Sequence, residues 1–172
     1  MSDTFVQEGP QADNLRRPLP ERLESSGKAT WTEDAAGERH IPFLAWLGAR
    51  RERVADGEAV VVVDLVPELL NNHGGGHGGV VMTLLDNAMA NAALSRIAFT
   101  REVVTIDIHI AFMSPATGRL TATGRATGGG RSVCFCEAEI ADANGHLVAR
   151  AMGTFRYREP GGTHINDKRD AR

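Results

Sequence analysis

Apolar and polar residues alternate along most of the second half of the chain, and a period of two is typical of β-strands with one buried face. The clearest case is VVTIDIHIAFM at 103–113, in which Thr105, Asp107 and His109 alternate with isoleucines. The pattern predicts that these three polar side chains share the face opposite the isoleucines. The other predicted strands lie at 58–66, 120–127, 132–141 and 147–158. An Asn-Gly pair at 144–145, between the last two, is a strong hairpin signal.

A short helix is predicted ahead of the first strand. In IPFLAWLGAR, at 41–50, apolar residues recur at helical spacing, and Pro42 suits a first helical turn. Arg50, Arg51 and Arg53 follow near the predicted helix end. There they would complement the helix dipole and remain in water.

A longer helix is predicted at 79–98, where the sequence is apolar nearly all round. Such a helix belongs inside a protein rather than on its surface. Thr83, Asn87 and Asn91 recur every four residues along one polar stripe, and Asp86 lies off that stripe. A buried carboxylate without compensation is costly, so Asp86 requires a polar cavity or a partner.

These elements predict an α+β fold in which an antiparallel sheet of about five to six strands curls around one long central helix. The predicted domain spans 39–158. Residues 1–38 contain three prolines among polar residues and predict a weakly ordered extension or a short helix. Residues 159–172 predict a polar tail.

Composition excludes several classes of protein. The 172 residues are 42% hydrophobic and 24% charged, as in soluble globular proteins. With 19 Lys and Arg against 22 Asp and Glu, the net charge of −3 offers no positive field for nucleic acid or an anionic membrane. The sequence has neither an apolar run of the roughly 18 residues that span a membrane nor a signal-like start. We therefore expect a cytoplasmic protein.

The two cysteines, Cys134 and Cys136, lie two residues apart on one face of a predicted strand. Two such residues cannot form a disulfide scaffold. A zinc site would need two further ligands, which the neighbouring sequence does not supply. We interpret both as small core residues.

The stretch NNHGGGHGGVVMTLLDNAM, at 71–89, carries the candidate chemistry. Gly74, Gly76 and Gly79 match G-x-G-x-x-G, but this loop does not follow its strand at once, and hairpins replace βαβ units. A dinucleotide site is therefore disfavoured. A metal site at the two histidines of the loop is also disfavoured, because a glycine loop does not hold two imidazoles in a fixed geometry.

The remaining hypothesis is polarisation of a carbonyl group. At a helix start, the N–H groups of Gly78 and Gly79 would lack intrahelical partners and lie at the positive end of the dipole. A carbonyl oxygen would be stabilised there as it gains negative charge, with Asp86 as base or nucleophile. Gly78 and Asp86 are about 12 Å apart along one helix, at about 1.5 Å per residue. Two antiparallel copies of the helix would bring them together, which predicts a homodimer with shared active sites.

Asn71, the His-Gly-Gly at 77–79 and Asp86 resemble, in type and spacing, a motif of the hotdog-fold acyl-CoA thioesterases, in the branch related to phenylacetate-pathway enzymes. The resemblance continues through IAFMSPA and ADANGHLVARAMGTF and spans about 40–158. It implies hydrolysis of an acyl-CoA or aryl-CoA thioester to free acid and coenzyme A, with no metal or redox cofactor. It also implies a homodimer, or a homotetramer built as a dimer of dimers.

By this resemblance, the N–H of Gly78 polarises the thioester carbonyl, Asn71 helps to bind the same region and His77 shapes the loop. Asp86 of the other subunit activates water or attacks, and Thr105 positions the water. Further candidates for substrate binding are Gly79, Asn72, Asn87, Gly130, Arg131 and Ser132. The last three correspond to a turn that contacts the coenzyme A arm in relatives.

Several alternatives stay open. Asp86 is either a general base or a nucleophile, and two adjacent asparagines compete for the substrate contact. Met82, Met89 and Phe112 either line an acyl tunnel or fill the core.

Two other functions compete with hydrolysis. A hotdog hydratase or dehydratase would need an acid further along the helix, in the region where Asn91 stands. A non-catalytic acyl-CoA binder would have no need for an acid such as Asp86 beside a thioester. Both are therefore disfavoured.

Overall fold

The computed structural model describes residues 41–160. The predicted extension at 1–38 lies outside these residues, as does the predicted tail from residue 161 onward. In chain order the elements are α1 (Pro42–Leu47), β1 (Arg50–Ala55), β2 (Glu58–Asp64), a 3-10 turn (Pro67–Leu69), α2 (Gly78–Arg96), β3 (Glu102–Phe112), β4 (Arg119–Gly129), β5 (Val133–Ala141) and β6 (Leu147–Arg158). The helix α2 ends two residues before its predicted end, because Ala98 and Phe99 adopt positive φ angles of 51° and 56°.

The six strands form one antiparallel sheet in the order β1-β2-β4-β5-β6-β3. The helix α2 contacts all six strands, as a sheet that curves around a central helix requires. This arrangement confirms the predicted α+β fold, with six strands. The strands β1 and β3 form the two edges of the sheet.

The strand β1 was not predicted from the sequence. Arg50, Arg51 and Arg53 lie on this edge strand and not at the end of a helix, because α1 already ends at Leu47 and a glycine with a φ of 72° turns the chain. Arg50 pairs with Asp64 on β2 at 2.7 Å. Charged side chains protect an edge strand from further pairing, and they also remove the apolar alternation that would have revealed it.

One face of the sheet packs against α2 and forms the core. The largest fully buried side chains include Phe155, Leu84, Leu85, Met89, Leu120 and Ile140. The helix lies directly on β4 at Gly124, where a Cβ would come within 2.5 Å of the backbone of Ala88. Only glycine permits so close an approach. Within residues 41–160, no helix has the length and apolar character needed to cross a bilayer.

The two cysteines lie in this core. Cys134 and Cys136 are buried on the same face of β5, with their Sγ atoms 3.7 Å apart. This confirms that they share a face and contribute to packing. Burial raises the pKa of the Cys136 thiol, which keeps it neutral and unreactive.

A β-bulge at Ile106 decides where Thr105 lies. The register of β3 against β6 shifts between Thr105 and Asp107, which leaves Ile106 as an extra residue. Thr105 opposes the buried Phe155, so it lies on the face that packs against α2. The prediction that Thr105 shares a face with Asp107 and His109 is therefore wrong, because one inserted residue moves every preceding side chain to the other face.

Candidate active site

The loop that leads into α2 is fastened by the side chain of Asn71. Its Oδ1 accepts hydrogen bonds from the backbone N–H groups of His73 and Gly75, at 2.9 and 3.2 Å. Its Nδ2 donates to the carbonyl of Gly76 at 3.4 Å. The neighbouring Asn72 is exposed. Asn71 thus fixes the shape of the loop, which the sequence alone could not distinguish from a substrate contact.

His77 caps the start of α2. Its Nδ1 accepts a hydrogen bond from the N–H of Gly79 at 3.0 Å, so this ring nitrogen carries no proton. The N–H of Gly78 has no hydrogen-bond acceptor within residues 41–160. Of the two glycines singled out from the sequence, only Gly78 therefore offers an open donor at the positive end of the helix dipole.

Asp86 and Thr105 form a pair on the inner side of the sheet. The Thr105 hydroxyl donates to Oδ1 of Asp86 at 2.7 Å. Burial raises the pKa of the half-buried Asp86 carboxyl, and the Thr105 hydrogen bond opposes that rise. Burial is the larger effect, so the carboxylate is a stronger base than an ordinary aspartate. A base of this kind suits the abstraction of a proton from water.

The Gly78 N–H and the Asp86 carboxylate lie far apart within one protomer. Gly78 and Asp86 both lie on α2, eight residues apart, which corresponds to about 12 Å along the helix axis. A carbonyl oxygen bound by the N–H of Gly78 therefore lies out of reach of the Asp86 carboxylate of the same chain.

Asn87 makes its contacts within α2. Its side-chain oxygen and its backbone carbonyl accept from Nδ2 of Asn91, at 3.1 and 2.8 Å. Oδ1 of Asn91 in turn accepts from Nη1 of Arg51 on β1, at 3.2 Å. In the protomer this chain of hydrogen bonds ties the helix to the edge strand.

The turn between β4 and β5 carries Gly130, Arg131 and Ser132, all exposed. It is held from the neighbouring elements: Arg101 donates to the carbonyl of Arg131 at 2.5 Å, and the N–H of Tyr157 donates to the carbonyl of Ser132 at 3.0 Å. The arginines at this end of the sheet are Arg96, Arg101, Arg131, Arg156 and Arg158. Only Arg131 of these five was a candidate from the sequence, because the others come from separate elements.

The sequence alone does not show whether Phe112 lines an acyl tunnel or fills the core. The structure places its ring beside the open donor: a Cβ on Gly78 would lie 3.6 and 3.7 Å from two ring carbons. Met89 is fully buried in the core, whereas Met82 and Phe112 are exposed. Within the described residues, no group of three or more His, Cys, Asp or Glu side chains is arranged to hold a metal ion.

Comparison with known proteins places the chain among thioesterases. The sequence profile described as "Thioesterase superfamily" matches residues 73–149. A protein of Halobacterium salinarum named "Putative esterase" is 34% identical over 126 residues, which cover 66% of this chain and 83% of that protein.

Solved structures are also similar to this chain. AziG of S. sahachiroi has a TM-score of 0.65 and 31% identity, covering 70% of this chain and 99% of that one. The PaaI protein from the phenylacetic acid degradation operon of E. coli also has a TM-score of 0.65, with 26% identity over 69% of this chain and 86% of that one. The fold and these relatives indicate a hotdog-fold hydrolase of thioesters. The chain belongs to the thioesterase superfamily.

Proposed function

We propose that the protein hydrolyses an acyl-CoA or aryl-CoA thioester to the free acid and coenzyme A. The observation that carries this proposal is the N–H of Gly78, which has no acceptor within residues 41–160. The N–H of the next residue, Gly79, already donates to the ring of His77. A thioester carbonyl oxygen accepting from Gly78 would be stabilised as it becomes an oxyanion. The second component is the Asp86 carboxylate with its Thr105 hydrogen bond.

The reaction needs no metal or redox cofactor in this scheme. Asp86 takes a proton from a water molecule held by Thr105, and the water oxygen bonds to the carbonyl carbon. The resulting oxyanion lies at the N–H of Gly78. When the intermediate collapses, the C–S bond breaks, and the thiolate of coenzyme A receives the proton from Asp86. In the alternative route the carboxylate of Asp86 attacks the carbonyl carbon, and the C–S bond breaks to release the thiolate of coenzyme A and leave a mixed anhydride. Water then hydrolyses this anhydride to the free acid and the Asp86 carboxylate, and its second proton passes to the thiolate.

The site requires two subunits, because the donor and the acid of one chain lie too far apart. The edge strand β3 offers a surface for a second copy: among the strands of residues 41–160 it pairs on one side only, and it exposes Val104, Ile106 and Phe112. A partner whose α2 runs antiparallel would place its Asp86 near the first subunit's Gly78. We propose this homodimer as the active unit, and a dimer of dimers as the larger assembly.

The arginine-rich end of the sheet favours coenzyme A as the carrier of the acyl group. Ten residues separate Asp86 from Arg96 on α2, or about 15 Å along the helix. A pantetheine arm spans a distance of this order, which would bring the phosphates of coenzyme A to the turn at 130–132. Guanidinium groups are well suited to bind phosphate.

The test is release of free thiol from a panel of short, medium, long and aryl acyl-CoAs, with Asp86→Asn beside the wild type. We expect turnover by the wild type and its loss in Asp86→Asn with substrate binding retained. An oxygen ester of the same acid separates thioesterase from general esterase activity. No thiol release from any substrate would contradict the proposal, and hydration of an enoyl-CoA would then be the next assay.

A further inference from the structure

The open side of Gly78 is bounded by an aromatic ring. A Cβ at Gly78 would meet Cε1 and Cζ of Phe112 at 3.6 and 3.7 Å, which is ordinary van der Waals contact. The gap between the helix start and the ring is therefore about one methyl group wide. The open N–H that binds the carbonyl in the proposed function belongs to this same residue, Gly78.

The side chain of Phe112 does not pack in the core. It lies on the face of β3 that packs against α2, opposite the buried Ala149, yet its side chain is 56% exposed. Ile108 and Ile110 on the same face pack against the core. Met82 lies one helical turn after Gly78, on the same side of α2, and is 51% exposed. Two exposed apolar side chains thus lie near the start of α2.

We propose that Phe112 determines which acyl groups the enzyme accepts, an inference that rests on the proposed function. The ring contacts the carbon next to the thioester carbonyl. It admits acyl groups that are unbranched or flat at that carbon and excludes branched ones.

The geometry of a thioester explains this selection. A carbonyl oxygen that accepts from the N–H of Gly78 lies about 2.9 Å from the nitrogen. The α-carbon and the sulfur each lie two bonds from that oxygen. With the sulfur directed along the pantetheine arm towards the turn at 130–132, the proposal places the α-carbon in the space beside Phe112. A second substituent on that carbon would need the room that the ring occupies. One methyl group more or less in an apolar pocket changes kcat/KM by roughly 10- to 200-fold.

The experiment compares two isomeric substrates, butanoyl-CoA and 2-methylpropanoyl-CoA, by their kcat/KM values. We expect the wild type to prefer the straight chain by at least about tenfold, and Phe112→Ala to reduce that preference by about tenfold because the branched substrate gains. Phe112→Leu, which keeps an apolar side chain, should fall between the two. Phe135→Ala is the matched control: Phe135 is 52% exposed but lies on the opposite face of the sheet, so the preference should not change.

Each other result has a defined meaning. A preference that is the same in Phe112→Ala and the wild type overturns the inference. An equal loss of kcat/KM for both substrates also overturns the inference, because the ring would then contact coenzyme A or the other subunit. Sedimentation of Phe112→Ala would distinguish these two roles. Wild-type protein that turns over neither these two substrates nor any other acyl-CoA overturns the proposed function itself.

Discussion

At the scale of single residues, the basicity of Asp86 results from two opposing effects. Burial beside the sheet raises the pKa of the carboxyl, and the Thr105 hydroxyl, 2.7 Å away, lowers it. The hydroxyl therefore favours the ionised form of the Asp86 carboxyl while it holds Oδ1 in place. The bulge at Ile106 is what brings this hydroxyl to the inner face.

Removal of the Thr105 hydroxyl should move the pH profile. In Thr105→Val the ionised form of Asp86 loses a hydrogen bond, so its pKa rises further. We expect the acid limb of kcat/KM to shift to higher pH and the plateau to fall roughly tenfold. Thr105→Ser keeps the hydroxyl and should keep the wild-type limb. An unshifted limb in Thr105→Val would contradict the role of this pair.

The ionised Asp86 carboxylate should lower the free energy of unfolding. When folding raises the pKa of an acid, the free energy of unfolding of the protein falls as the pH rises through that raised pKa. We expect Asp86→Asn to unfold at a temperature equal to or above that of the wild type at pH 7. Below the pKa that this carboxyl has in the unfolded chain, the two proteins should unfold at the same temperature. Calorimetry at both pH values checks this, and a lower unfolding temperature for Asp86→Asn at pH 7 would refute it.

At the scale of elements, strong periodicity made the fold predictable, and interruptions of periodicity made parts of it unpredictable. The all-apolar sequence of α2 and the alternation of the later strands indicated a sheet around a central helix. Strand β1 was missed because charge replaces alternation on an edge, and Thr105 was placed on the wrong face because a bulge leaves no mark in the sequence. The Asn71 bonds that fix the loop were equally invisible.

The contact between helix and sheet provides a test of this packing. A methyl group at Gly124 would lie 2.5 Å from the backbone of Ala88, a clash that no change of rotamer can relieve. We expect Gly124→Ala to lower the free energy of unfolding by about 1–3 kcal/mol in denaturant titrations. Gly130→Ala is the control, because a Cβ there meets nothing within 4 Å. Equal stability of the two variants would mean that α2 does not lie so close to β4.

At the scale of the whole molecule, the separation of Gly78 from Asp86 is the central feature. The sequence already indicated it, since eight residues of helix give the distance. The sequence could not show which N–H is open, because that depends on the His77 ring accepting from Gly79. Nor could it bring Phe112 to the donor, since the two belong to different elements.

The Gly78 donor can be removed with little disturbance of the helix. Gly78 is the first residue of α2, where proline is favoured, and His77 has the extended backbone that precedes proline (φ −60°, ψ 136°). We expect Gly78→Pro to lower kcat by about 10²- to 10³-fold, the loss typical of one oxyanion donor. Gly78→Ala adds a Cβ but keeps the N–H, so it should lose less. Equal kcat values for the two variants would show that the N–H is not used.

Mixed dimers of these variants test most directly whether two subunits share each site. Gly78→Pro and Asp86→Asn subunits should each be inactive alone. After the two are refolded together in equal amounts, with heterodimers verified by mass, each heterodimer should contain one site that combines an intact Gly78 with an intact Asp86. Random pairing then restores about a quarter of wild-type thiol release. Heterodimers that remain inactive would contradict the shared site.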